Sequence, residues 1–236
     1  MTVTLESYVQ GAWVQGDGKP ADLFNATTEA KLAACSTGGI DFQKTAAYAR
    51  DVGGPALRAM TFTERAAMLK ALSAALHEHR EAMIDTSIAN AGTTRSDSTF
   101  DIAGATGTLA AYAYFGKTLG DRHHIADGEG VQLGRTARFW GQHILVPREG
   151  VAVHINAFNV PAWNMFEKAA CALLAGMPVV EKPGTPTAMV AWQMAKVAIE
   201  SGVLPEGAFQ ILVGSAGDLL DHMGPQDSLA FTGSSG

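Results

Sequence analysis

The sequence predicts an α/β protein built on a doubly wound parallel sheet, and three observations carry that prediction. Residues 150–185, GVAVHINAFNVPAWNMFEKAACALLAGMPVVEKPGT, read as strand, tight loop, helix, strand and an abrupt Lys-Pro-Gly-Thr loop. Strand and helix patterns continue to alternate as far as residue 231. Polar residues stand at the carboxyl ends of both strands of the first unit, where open α/β sheets bind their ligands.

Each element has its own warrant. Residues 1–35 read as short strands and turns, with residues 8–14 a hairpin around Gly11 and residues 25–28 a further turn. Ile40 to Arg50 reads as a helix capped by Asp41. Thr61 and Glu64 form a capping box, and Leu69, Leu72, Leu76 and Met83 mark one face of a helix running to about Ala89, stopped by Gly92. Phe100 to Gly116 is a second helix; Gly104 and Gly107 lower its propensity, so close packing against a neighbour is expected there. Residues 121–135 read as a polar surface loop and residues 138–146 as an extended arm. In the central unit Val151, Val153 and Ile155 form a β-branched run suited to burial on both faces. Trp163, Phe166, Ala170, Leu173 and Leu174 recur at helical spacing, and Gly176 and Pro178 end that helix. A strand from Pro178 to Lys182 follows, then a helix over residues 187–201. A strand over 209–213, a short helix over 218–223 and a strand over 228–231 complete the pattern.

The 236 residues suffice for one large or two small domains, and a net charge of −6 offers no general attraction to nucleic acid or anionic membrane. The N-terminus lacks the basic and apolar regions of a signal peptide. The longest apolar run is broken by Gly176 and Pro178, short of the roughly 20 residues that span a bilayer. Two cysteines cannot make a disulfide framework, so a reducing cytoplasm is the expected compartment. The chain stops at LAFTGSSG, a strand and Gly/Ser turn of the kind that leads into a helix, so a truncated protein is expected.

Single residues remain ambiguous. Lys182, where a buried strand leaves the sheet, reads equally as a ligand for a ribose hydroxyl or phosphate and as a solvated loop lysine. Asn159 occupies the corresponding place after the first strand, where an amide can donate to an oxyanion or simply cap a loop. Gly214 and Gly217 in GSAG read as a phosphate-approach turn or a plain tight turn. Cys171 lies mid-helix with nothing to activate it, and Cys35 has no adjacent histidine. The seven histidines show no zinc-site spacing.

Taken together, INAFNVPAWNMFEKAACALLAGMPVVEKPGTPT, SGVLPEGAFQILVG and LAFTGSSG, in that order, resemble the aldehyde dehydrogenase superfamily. The upstream TFTERAAMLKALSAALHEHREAM is similar to the family's first long helix. HINAFNVPAW, PALRAMTFTERAAMLK and VGSAGDLLDH resemble most the semialdehyde dehydrogenases of CoA-dependent phenylacetate and benzoate degradation. The resemblance implies an aldehyde-dehydrogenase-like fold, with an incomplete Rossmann-type sheet, N-terminal helices and a β-arm. It implies an N-terminal helical part of the cofactor-binding domain over 1–121, a loop and oligomerisation β-arm over 122–148 and a truncated Rossmann-type NAD(P)-binding core over 149–236, with the catalytic domain absent.

By position, the resemblance makes Asn159 the oxyanion-hole asparagine, and Ile155, Asn156, Ala157 and Phe158 the lining of the nicotinamide-ribose side. It gives Lys182 the adenosine ribose, and places Gly214 and the turn Phe231, Thr232, Gly233 and Ser234 near the pyrophosphate. NAD-preferring members commonly carry a glutamate three residues after that lysine; here it is Thr185, so NADP is expected to be preferred over NAD. Gly217 stands one place from the family's usual second glycine. The family reaction is oxidation of an aldehyde through a cysteine thiohemiacetal, with a glutamate-activated water releasing the acid. Both of those residues fall beyond the Phe-Thr-Gly-Ser turn, so the 236 residues alone are expected to be inactive. Small-molecule aldehydes and a homo-oligomeric partner are implied, and neither nucleic acid nor membrane. A stand-alone nucleotide-binding module and a CoA-acylating relative are the competing readings.

Overall fold

The computed structural model describes residues 3–234. The chain opens with five short strands, β1 Val3–Leu5, β2 Ser7–Val9, β3 Ala12–Val14, β4 Ala21–Phe24 and β5 Lys31–Cys35. Helices α1 Phe42–Tyr48, α2 Gly54–Ala59, α3 Phe62–Glu78, α4 Arg80–Ala91 and α5 Arg95–Leu119 follow. A two-stranded ribbon, β6 Ile125–Gln132 and β7 Trp140–Leu145, leads into the alternating part. That part comprises β8 Ala152–Ile155, α6 Pro161–Ala175, β9 Val179–Lys182, α7 Ala188–Glu200, β10 Phe209–Ile211 and β11 Ser228–Phe231.

The main sheet runs β11-β8-β9-β10-β2-β3. Four of its strands, β11, β8, β9 and β10, are parallel, and the β2–β3 hairpin adds antiparallel strands beyond β10. The β8-to-β9 and β9-to-β10 connections step one way; the β10-to-β11 connection returns to the far side of β8. That reversal makes the sheet doubly wound and puts its switch point between β8 and β11. Apolar residues fill both faces. Leu72, Leu109, Phe166, Leu173 and Met194 from α3, α5, α6 and α7 cover one. Phe42, Ala46, Leu212 and Leu219 pack with Val151, Val153 and Val180 on the other.

Several elements differ from their sequence-based outlines. The helix expected over 61–89 breaks at His79 (φ −99°, ψ 8°) into α3 and α4, and the Arg80 guanidinium donates to the His77 carbonyl at the break. The Thr61–Glu64 capping box forms as expected. α1 continues through a π-helical turn, Ala49–Gly53, into α2. Pro55 in the first turn of α2 lacks an N–H, and the wide turn before it avoids a clash with the preceding carbonyls. α5 starts earlier than expected because Thr94 caps it, accepting from the Asp97 amide at 3.1 Å.

The expected loop over 121–135 is mostly strand β6, and the arm finds its partner there within the chain. Both faces of this ribbon meet solvent, so no apolar alternation announced it. Pairing is helped by the Trp140 ring lying over Gly130, where an added Cβ would sit 1.5 Å from Cζ2. The short helix expected over 218–223 is a single 3-10 turn, Leu219–His222.

The two glycines of α5 separate cleanly. A Cβ on Gly104 would lie 2.3 Å from Cδ2 of Trp163, whereas a Cβ on Gly107 meets nothing within 4 Å. Gly104→Ala should therefore destabilise the chain by about 1–3 kcal/mol through overpacking. Gly107→Ala should stabilise it by about 0.5–1 kcal/mol through helix propensity. Urea unfolding of the two variants checks both signs.

Candidate functional site

Parallel register brings the ends of four strands to one edge of the sheet. Ile155 pairs with Lys182 and with Phe231, and Glu181 pairs with Ile211. The loops leaving β8, β9, β10 and β11 therefore open on the same side, and the expected site residues lie on them. Asn159 and Phe158 are exposed, Ile155 and Ala157 half-buried. The Thr232 amide donates to the Ile155 carbonyl at 2.9 Å, seating the 231–234 turn directly beside the Asn159 loop at the switch point.

The Asn159 loop is held through its main chain. The Asn156 amide donates to the Lys182 carbonyl, the Ala157 amide to Asn164 Oδ1, and Thr187 Oγ1 to the Phe158 carbonyl. The Asn159 side chain itself bonds to none of the described residues. A rigid backbone carrying an uncommitted exposed amide is what an oxyanion donor requires.

Asn156 departs from expectation. It is 3% exposed; its Nδ2 donates to Glu181 Oε2 at 2.8 Å and its Oδ1 accepts from Lys168 Nζ at 2.9 Å. Those bonds take its side chain out of the set that can meet a ligand and leave its main chain. They also reveal residues that pattern reading missed. Glu181 is fully buried, paired with His154 Nδ1 at 2.7 Å on the neighbouring strand, and Lys168 also donates to Asn164. Burial holds the Lys168 pKa below the usual lysine value, against the pull of Glu167 and Glu181. A signal existed: His154 is a single polar residue within an apolar run, Glu181 follows two valines directly, and the two are register partners.

Lys182 is half-buried, and its Nζ lies 3.4 Å from Thr185 Oγ1, whose hydroxyl donates to the Gly214 carbonyl at 3.1 Å. Three expected cofactor residues thus form one chain of contacts across β9 and β10. Burial lowers the Lys182 pKa, and the Cys35 sulfur nearby acts in the opposite sense. The ammonium keeps donors for a ribose hydroxyl or a phosphate, and among the described residues no acidic side chain contacts it, so this donor set fits a dinucleotide. Cys35 is buried, and burial raises its thiol pKa. Cys171 is exposed on α6. Ten residues separate it from Pro161, about 15 Å along a helix. Neither thiol is brought to Asn159.

A model of the aldehyde dehydrogenase family matches residues 13–236. The chain belongs to the aldehyde dehydrogenase family. A 3,4-dehydroadipyl-CoA semialdehyde dehydrogenase of Aromatoleum evansii is 47% identical over 230 residues, covering 98% of this chain and 45% of that protein. The NADP-dependent succinate-semialdehyde dehydrogenase of Escherichia coli is 29% identical, covering 97% of this chain and 46% of its own length. A lactaldehyde dehydrogenase structure superposes with a TM-score of 0.85 at 25% identity, over 99% of this chain and 48% of that one. This dehydrogenase chain therefore spans about half the length of the relatives it matches. Among the described residues, no helix is long and apolar enough to cross a membrane.

The opposite edge of the sheet, where β8 and β11 begin, is fixed by Asp227, just before β11. Its carboxylate takes the Val151 amide at 2.8 Å, the Gly224 amide at 2.6 Å and the Arg50 guanidinium, which also reaches the His222 carbonyl. Burial would raise its pKa, but Arg50 and the two amides prevail and hold it below the usual 3.8. The folded state therefore favours the ionised form. That stability is present above about pH 4 and is lost as pH falls through the depressed folded value. Arg50→Ala should cost roughly 3–5 kcal/mol at neutral pH and flatten the acid limb of the stability–pH curve. Denaturant titrations between pH 7 and pH 3 measure both effects.

Proposed function

We propose that this chain forms the cofactor-binding and oxyanion-hole half of an NAD(P)-dependent aldehyde dehydrogenase. The reading extends to a CoA-linked semialdehyde of aromatic-compound catabolism as substrate, and to a cytoplasmic homo-oligomeric enzyme. The observation that carries it is the edge where the free amide of Asn159 stands beside the 231–234 turn, with Lys182 one strand away. The 47%-identical semialdehyde dehydrogenase supports the substrate class.

In this mechanism a cysteine thiolate attacks the aldehyde carbon, and the Asn159 amide donates to the oxygen as it becomes negative. A bound dinucleotide would supply the hydride acceptor. Ile155, Ala157 and Phe158 would line its nicotinamide side, Thr232, Gly233 and Ser234 would line its pyrophosphate, and Lys182 would hold its adenosine ribose. Neither Cys35 nor Cys171 can serve as the nucleophile. The 236-residue chain should therefore show no cysteine-dependent aldehyde oxidation; turnover that vanishes on thiol alkylation would refute this.

We infer that NADP is preferred to NAD. Lys182 is cationic, and Thr185 presents a hydroxyl where a carboxylate would repel a 2′-phosphate. Thr185→Glu should weaken NADP binding roughly 10–100-fold, the worth of one or two charge-assisted hydrogen bonds, and leave NAD binding within about 3-fold. Calorimetric titration with both cofactors reads the ratio; strong NAD preference in the unaltered protein would sink the proposal.

A further inference from the structure

We infer that Asp101, on α5, is the positioning residue for the oxyanion donor Asn159; this rests on the reading of Asn159 given above. Helix α6 begins directly after the Asn159 loop, and its N-cap residue, Val160, offers no side-chain acceptor. Pro161 has no N–H to satisfy. The next two amides, of Ala162 and Trp163, have no partner within their own segment. Both donate to the one carboxylate of Asp101, to Oδ2 at 3.1 Å and Oδ1 at 2.8 Å. The first amide bonded within the helix is Asn164, to the Val160 carbonyl at 3.0 Å. The cap of α6 therefore comes entirely from a residue 61 positions earlier.

Asp101 is an expensive way to cap a helix. It is 5% exposed, and among the described residues its environment supplies two amides and no cation. Burial pushes its pKa up, against those two hydrogen bonds. A Ser, Thr, Asn or Asp at position 160 would satisfy a first-turn amide locally without burying a charge. What the distant carboxylate adds is geometry. Two oxygens on two successive amides fix both the distance and the rotation of the first turn against α5. Trp163 reinforces the attachment: its Nε1 donates to Thr108 Oγ1 at 2.9 Å, its ring meets Phe100 edge-on, and it lies over Gly104. The turn so clamped begins two residues after Asn159. An oxyanion donor works through preorganisation, and small misplacements cost much of its effect.

The test is a double-mutant cycle in a form of the enzyme that extends through the length of its relatives. Asn159→Ala should lower kcat about 10²–10³-fold, and Asp101→Ala about 10–100-fold with KM within about 3-fold. On the Asn159→Ala background, Asp101→Ala should cost less than about 3-fold more, because there is no donor left to misplace. Equal Asp101 losses in both backgrounds, or no loss with intact Asn159, overturn the inference. An unchanged kcat in Asn159→Ala overturns the oxyanion reading beneath it, a separate outcome. Should Asp101→Ala fail to fold, Asp101→Asn carries the same cycle. It keeps one oxygen acceptor and predicts a smaller loss that again disappears without Asn159.

Discussion

Strand β8 is buried on both faces and hydrogen-bonded on both edges, and the rest of the structure depends on that constraint. A strand so placed can be nothing but apolar or internally satisfied along its length. Its neighbours must be parallel, because β9 and β11 are each reached by a crossover connection. Parallel pairing sends all the chain exits to one edge, so the loop after β8 necessarily faces the loops after β9 and β11. The reversal of strand order at β8 opens the crevice between those loops.

The polar residues of the central unit follow from the same constraint. His154 and Glu181 would be intolerable alone beneath α6, and they are tolerated because they face each other across one register pair, while Glu181 takes the Asn156 amide with its second oxygen and Asn156 in turn accepts from Lys168. A linked buried network of this kind is rigid, since moving one member strands the others. It therefore stiffens the inner side of the Asn159 loop, as Asp101 and Thr187 stiffen the outer side. Asp227 and Arg50 do the equivalent at the opposite edge, joining the start of β8 to the start of β11.

Much of this was legible beforehand. The β-branched run, the helical stripe of α6, the glycine and proline stops and the Thr61 box are local signals, and the elements they announce formed. The misses have physical causes. Strand β6 was hidden because a ribbon wet on both faces needs no apolar alternation. The break at His79 was hidden because one apolar stripe continues through it. Asn156 was assigned to the ligand side because its place in the chain says nothing about which side of the sheet its amide is spent on.

The sequence by itself determined the alternation of strands and helices from β8 onward and the strand-end positions of Asn159, Lys182 and Thr185, because periodicity and chain breaks are written residue by residue. The tertiary structure alone decided which of those positions carry free donors. It selected Asn159 as exposed and Asn156 as buried, assembled Lys182, Thr185 and Gly214 into one line of contacts, and brought Asp101 to the start of α6. Those outcomes depend on partners up to 62 residues away in the chain, and no local pattern encodes such a distance.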